Sequence, residues 1–265
     1  MFDLSCLQRE PEPFYRSRAK LHLSSHALAD FRACPQLFRQ KELGLIPDMD
    51  STAFLVGRAA HVLALEGRPA YAAGFEIGGP INDKTGKAYG RDTKAFADWA
   101  ALRGKPVLSL DQADLVEALA DNVLRHPVAA LLLCGGVPEG VVRQNYAGMP
   151  CQGRFDWVSP KFGLVDLKTC DDLTWFESDA RRFAYAYQMA FYRALLREAT
   201  GTTMPVHLIA VEKRAPFRCG VWRLSEQVLD AAERENLSAM RRLEQCRAND
   251  AWPTGYEEIR TFDYL

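Results

Sequence analysis

Residues 153–169 read GRFDWVSPKFGLVDLKT, two short apolar–polar stretches joined by Ser159-Pro160-Lys161. Their β-branched and aromatic content on either side of a Pro-containing turn predicts strands over 151–158 and 163–169. Side chains alternate along a strand, so Asp166 and Lys168 share one face while Leu167 between them points into the core. Asp156 stands on the preceding strand. Opposing Cβ atoms of antiparallel neighbours lie roughly 4.5–5.5 Å apart, so Asp156 and Asp166 can converge on one point.

Upstream of this pair, Val141–Asn145 predicts another strand, with a turn near Ala147-Gly148. Downstream come a helix over 177–198, strands over 205–213 and 218–224, and a closing helix over 225–249. Towards the N-terminus, Ser24 or Ser25 can cap a helix running to Glu42. Leu28, Phe31, Leu37 and Phe38 can share its apolar face. Pro35 breaks or kinks it, and Gly44 and Pro47 end it. A helix over 51–66 turns Phe54, Leu55, Ala59, Val62 and Leu63 inward. Residues 1–20 read as an irregular arm and 67–90 as a loop; helices follow over 91–103, 110–125 and 127–134. This order predicts an α/β fold with a mixed central sheet flanked by helices. Residues 1–135 form a mainly helical part and 136–265 the sheet-containing core of one domain.

Composition sets outer bounds. The chain has 265 residues, 48% hydrophobic, which is ample for a packed core. No apolar run reaches the ~18 residues of a membrane span. MFDLSCLQREPEPFYR lacks the basic and apolar regions of a signal peptide, so a cytoplasmic location and no membrane partner are expected. Seven cysteines without a CxxC argue against a disulfide framework. The net charge of −1 gives no global sign of nucleic-acid binding. Three basic groups stand out locally: Arg16, Arg18 and Lys20; Lys84, Lys87, Arg91 and Lys94; Lys213, Arg214 and Arg218. The ordinary reading of such groups is a solvated face.

The chemistry lies in the paired carboxylates. Two that close repel unless a cation compensates. Mg²⁺ suits such a site, because it takes hard oxygen ligands, few carboxylates and several waters. It can polarise a phosphoryl oxygen and acidify a water. Lys168 can position or deprotonate that water, or neutralise charge in the transition state. The set suits phosphodiester hydrolysis. A lone DxK is common on half-exposed sheets, so the rest of the chain matters. Gly57-Arg58-Ala59-Ala60-His61 lies on the 51–66 helix, where small residues allow close approach. Gln188 and Tyr192 are four apart and share a helix face.

GxxxH at 57–61, GRxD at 153–156, DxK at 166–168 and QxxxY at 188–192 stand in this order. Together they resemble the PD-(D/E)XK nuclease superfamily, and most closely the C-terminal nuclease domain of RecE-type exonucleases (exodeoxyribonuclease VIII). The resemblance implies a restriction-endonuclease-like core. It implies that Asp156 and Asp166 bind metal, assisted by His61 and by Glu139 as an extra acid. It makes Lys168, His61, Gln188, Asp156 and Asp166 the catalytic set, with Arg58 and Tyr192 meeting DNA and Arg18 and Ser25 meeting a terminal phosphate. Phe155 replaces the usual proline, and Asp166 replaces the commoner glutamate, with a reach one methylene shorter. Cys34-Pro35 resembles the first cysteine of iron–sulfur relatives of the Cas4 and AddB type. Only Cys246 lies near the end to complete a cluster, so none is expected.

The implied activity is Mg²⁺-dependent degradation of linear double-stranded DNA from 5′ to 3′, with Mn²⁺ able to substitute. It leaves 3′ overhangs for recombination. The implied partners are duplex ends, a toroidal homo-oligomer (trimer or tetramer) and a RecT-like single-strand annealing protein. The rivals are a Cas4/AddB-like or structure-specific endonuclease on the same fold, and a non-catalytic DNA-binding protein.

Overall fold

The computed structural model describes residues 2–47 and 52–263. The N-terminal arm is more regular than expected. It holds strand β1 (Gln8–Arg9), helix α1 (Glu12–Ser17) and a 3₁₀ turn over 18–20. Tertiary pairing makes the difference: β1 is too short to declare itself in sequence, and it forms by adding to the sheet edge.

The helix expected over 24–42 is two helices, α2 (Ser25–Ala33) and α3 (Pro35–Glu42). Ser24 caps the first, its side chain accepting from the Ala27 N–H. Pro35 starts the second, where its missing N–H is harmless, and Cys34 Sγ accepts from the Leu37 N–H at 3.4 Å. Cys34 therefore serves as a cap. Helix α4 (Thr52–His61) passes into a π-helical turn over 62–66. Its Leu55, Ala59 and Leu63 are buried as expected; the expectations for Ser51 and the Phe54 side chain lie outside the described residues. The region 67–90 is not simply a loop. It begins with α5 (Arg68–Gly74), which starts with a proline in its first turn and follows Gly67 at φ 85°. After β2 (Glu76–Ile77) come α6 (Lys94–Ala101), β3 (Val107–Leu108), α7 (Leu110–Arg125) and α8 (Pro127–Leu132). A reciprocal Ser109–Gln112 capping box fixes the start of α7.

The second half carries β4 (Val137–Tyr146), β5 (Met149–Ser159) and β6 (Gly163–Cys170). They are followed by α9 (Phe176–Arg182), α10 (Tyr185–Thr200), β7 (Val206–Glu212), β8 (Cys219–Arg223) and α11 (Glu226–Asn249). The single helix expected over 177–198 is broken at Ala184, which sits at φ 58°. The β4–β5 hairpin turns through Ala147 and Gly148, both at positive φ, the conformation that matches the twist of the strands.

The main sheet has the order β1-β4-β5-β6-β7-β8. Only β6 and β7 run parallel, joined by α9 and α10; the other neighbours are antiparallel. The sheet is thus mixed but mostly antiparallel. Helices cover both faces. On one, α2, α3, α10 and α11 enclose Leu28, Phe31, Phe155, Leu195 and Leu243. On the other, α4, α5, α7 and α8 pack on Val165, Leu167, Ile209 and Val211. Arg193, 1% exposed, ties α10 to α11 through Glu226 and Asp230, each at 2.6 Å. The whole is a restriction-endonuclease-like arrangement of a sheet between helical layers. Among the described residues no helix is long and apolar enough to cross a membrane.

Candidate active site

The site forms where β5 and β6 part. They are ladder-paired from Ser159↔Gly163 to Trp157↔Val165. One step further, the Asp156 carboxylate takes the place of a main-chain acceptor, and Oδ2 accepts from the Leu167 N–H at 2.9 Å. The strand alternation is broken at the same place: Phe155 faces one core and Trp157 the other. On the far side of β5, Glu139 of β4 adopts φ 52°. This distortion lets Asp156 look into the rift between the strands.

Asp166 and Lys168 lie on the α10 side of β6, opposite Leu167, as alternation requires. Lys168 Nζ stands 2.7 Å from Asp166 Oδ2 and donates to Gln188 Oε1 at 3.2 Å. Gln188 Nε2 in turn donates to the Tyr192 hydroxyl at 3.3 Å. Ser25, buried at the start of α2, lies beside that hydroxyl. The Lys168 ammonium also sits over the Tyr185 ring, 4.7 Å from its centre. From α4 on the other layer, His61 Nδ1 reaches within 3.4 Å of Asp156 Oδ2. Gly57, one turn earlier on α4, faces Thr169 of β6, where a Cβ would make only an ordinary contact at 3.7 Å from Oγ1.

The electrostatics follow from crowding charge into a buried rift. Burial and the neighbouring Asp156 push Asp166 up to about 6. Burial likewise raises Asp156, against the pull of Lys168. Burial opposes the charge on Lys168 too, but Asp166 and Asp156 outweigh it and raise its pKa. Burial, with Lys168 nearby, pushes His61 down to about 4, so its ring is neutral at neutral pH. Glu139 is pushed up to about 8 by burial and by Asp156.

Other sequence-derived candidates lie further out. Glu139 is turned to Arg154, whose Nε is 2.9 Å from Oε2. Arg154 also pairs with Glu12 of the N-terminal arm and stacks over Tyr15. Arg58 is exposed on α4, one turn before His61. The Arg18 guanidinium stacks over Phe14, and none of its contacts reaches Lys168 or the aspartates. The basic groups are mostly engaged with neighbours. Arg16 pairs with Glu12, Lys94 with Asp98, Lys213 with Asp171 and Arg218 with Glu212. Arg91 donates to the Val107 carbonyl and Gln112. Two residues of the cluster escaped the sequence reading. Tyr185 shares a helix face with Gln188 and Tyr192 at i, i+3 and i+7, which is a usable signal. Glu12 comes from a distant arm and left none.

Among the described residues no three His, Cys, Asp or Glu side chains converge into a ready cage for one ion. The four-residue set of Asp156, Asp166, His61 and Glu139 is therefore not gathered around one point. What is present fits a hard cation that keeps most of its waters. Two carboxylates face a rift, and Asp166 Oδ2 is buried without a directed hydrogen bond, despite its ion pair with Lys168. No thiol stands among these groups, so the donors do not suit a soft metal.

A mixed sheet between helical layers, with an Asp–Asp–Lys group where two central strands part, defines the chain as a PD-(D/E)XK nuclease-superfamily fold. More narrowly, residues 24–264 match the PDDEXK-like domain of unknown function (DUF3799), and the chain belongs to that family. Among solved structures, a candidate exonuclease from Eubacterium rectale superposes with a TM-score of 0.70 at 15% identity, covering 97% of each chain. LHK-Exo, solved in complex with dAMP, matches at a TM-score of 0.30 and 13% identity, over 72% of this chain and 92% of that one. No curated protein matches the chain significantly.

Proposed function

We propose that the protein is a Mg²⁺-dependent exodeoxyribonuclease, with Mn²⁺ able to substitute. It degrades linear double-stranded DNA from the 5′ end and leaves 3′ overhangs for recombination. The observation that carries this reading is the convergence of Asp156, Asp166 and Lys168 where β5 and β6 separate, with Asp166 buried against the Lys168 ammonium. A binding module has no use for that arrangement, because two buried, repelling carboxylates destabilise a fold that holds no cation.

Asp156 and Asp166 would hold the ion, which supplies Lewis acidity towards a phosphoryl oxygen and acidifies water. The chain's own groups do the rest. Lys168 keeps its proton, so it acts as a fixed positive charge beside the phosphate, stabilising negative charge as it develops. Gln188 holds Lys168 in place and is itself held by Tyr192. Neutral His61 orients Asp156. Arg58, exposed on the same helix, would meet backbone phosphates. Ser25 lies beside the Tyr192 hydroxyl, and Arg18, stacked over Phe14 on the N-terminal arm, is proposed with it to meet a terminal phosphate.

The partners proposed are duplex DNA ends, further copies of the chain in a ring, and an annealing protein of the RecT type that receives the overhang. The protein is proposed to work in the cytoplasm. The test is digestion of end-labelled linear duplex in Mg²⁺, with 5′-phosphorylated and unphosphorylated ends compared. The reading expects loss of the 5′-ended strand and survival of closed circles. Cutting of closed circles would replace it with an endonuclease.

A further inference from the structure

The corner between α9 and α10 carries an exposed aromatic side chain. Phe183 is 55% exposed, one residue before the break at Ala184. Its ring stacks on Tyr185, with centres 5.9 Å apart and planes at 26°. Tyr185 is the same ring that lies under the Lys168 ammonium at 4.7 Å. An exposed aromatic face therefore stands one ring away from the proposed phosphate-binding lysine.

The platform is firmly built. Tyr185 also packs on Phe176, which is 1% exposed, and Phe176 packs on Trp222 with centres 4.4 Å apart. Ala184 holds φ 58°, a left-handed conformation that disfavours a side chain, and this break turns Phe183 away from the axis of α10. Charge at the corner suits a polyanion. Arg181 and Arg182 are both exposed, and the Arg182 guanidinium sits 5.3 Å from the Phe183 ring centre. An aromatic face with cations beside it takes a nucleobase and its phosphates; a paired base inside a duplex cannot present its face to a side chain.

We propose that Phe183, with Arg182 beside it, stacks on an unpaired nucleobase adjoining the phosphate presented to Lys168. The end of the duplex is then opened by at least one base pair at the site. Stacking on an aromatic side chain tolerates any base, so the device lets the protein move along DNA without regard to sequence. This inference rests on the nuclease reading of the same site.

The experiment uses the full chain in chelator, so that nothing is cut, and a short duplex ending in a few unpaired nucleotides with 2-aminopurine at the 5′ end. Wild-type protein should quench the probe on binding. Phe183→Ala should abolish the quench and weaken binding roughly tenfold. Phe183→Trp should restore both, and an abasic residue in place of the probe should make binding insensitive to Phe183→Ala. Unchanged melting of Phe183→Ala would show that the fold is kept, as expected for an exposed side chain. Wild-type quenching and affinity in Phe183→Ala, or equal losses with base and abasic ends, would overturn the stacking. The nuclease reading fails separately, if the wild type quenches the probe yet cleaves DNA in no divalent cation.

Discussion

Asp166 is where pH and the proposed metal would act on the same atoms. Its carboxyl is buried and pushed up to about 6 from an ordinary 3.8. A raised carboxyl binds more protons in the folded chain than in the unfolded one between those values. Its contribution to stability is therefore fully present below 3.8 and is lost as pH rises through about 6. At pH 7.5 the ionised group strains the metal-free protein. Asp166→Asn should raise metal-free stability there by on the order of 1–3 kcal/mol, measured by urea unfolding, and the gain should vanish near pH 4. Mg²⁺ should raise the Tm of the wild type and leave that of the variant unmoved. His61 works in the opposite sense. Its pKa is pushed down to about 4 from 6.5, so its contribution is present above 6.5 and is lost as pH falls through about 4. Equal stability of Asp166→Asn and wild type at pH 7.5 would remove the repulsion on which the metal argument stands.

The strands that carry these side chains depend on a tight entry into β6. Gly163 opens it at φ 81°, and a Cβ there would fall 2.4 Å from the Pro205 carbonyl oxygen. Backbone cannot yield as a flexible side chain can. Gly163→Ala should therefore cost about 2 kcal/mol or more, seen as a lowered Tm, with activity lost only in proportion to unfolded protein. A melting point equal to that of the wild type would show that this turn has slack. Much of this element scale was legible from sequence. The helix expected over 110–125 is found with those bounds as α7, and its Ser109–Gln112 capping pair is a signal the sequence also carries. The period-two alternation of Asp166, Leu167 and Lys168 is enough by itself to place two functional groups on one face of a strand. The failures share a physical cause. A left-handed Ala184 broke a helix that propensity alone would continue, because Ala is the best helix former. Asp156 lies in a distorted stretch where period-two alternation no longer holds. Its meeting with His61 depends on the packing of α4 against β6 across the sheet. The exchange between Arg154, Glu12 and Glu139 joins residues too far apart in sequence to leave a pattern.

At the scale of the whole molecule the question is how a chain of net charge −1 stays on a polyanion. Half of the ten basic residues in the three sequence groups are paired with neighbouring carboxylates or main-chain oxygens, which weakens the pull they exert on a polyanion. Topological enclosure by a ring of copies would hold DNA with less electrostatic attraction, and it would make ends the point of entry. Light scattering should then give a closed oligomer of three or four chains, and processivity should fall little as salt rises. A monomer with undiminished processivity would remove the ring.

The central claim is that Asp156, Asp166 and Lys168 form one metal-dependent hydrolytic site. Its most direct test is the rate of release of end label from linear duplex DNA, titrated with Mg²⁺, for wild type and Lys168→Ala. The wild type should cleave only when the ion is present. Lys168→Ala should be slower by at least about a hundredfold while melting cooperatively as a folded protein. Normal cleavage by folded Lys168→Ala, or wild-type cleavage unaffected by chelator, would contradict the account.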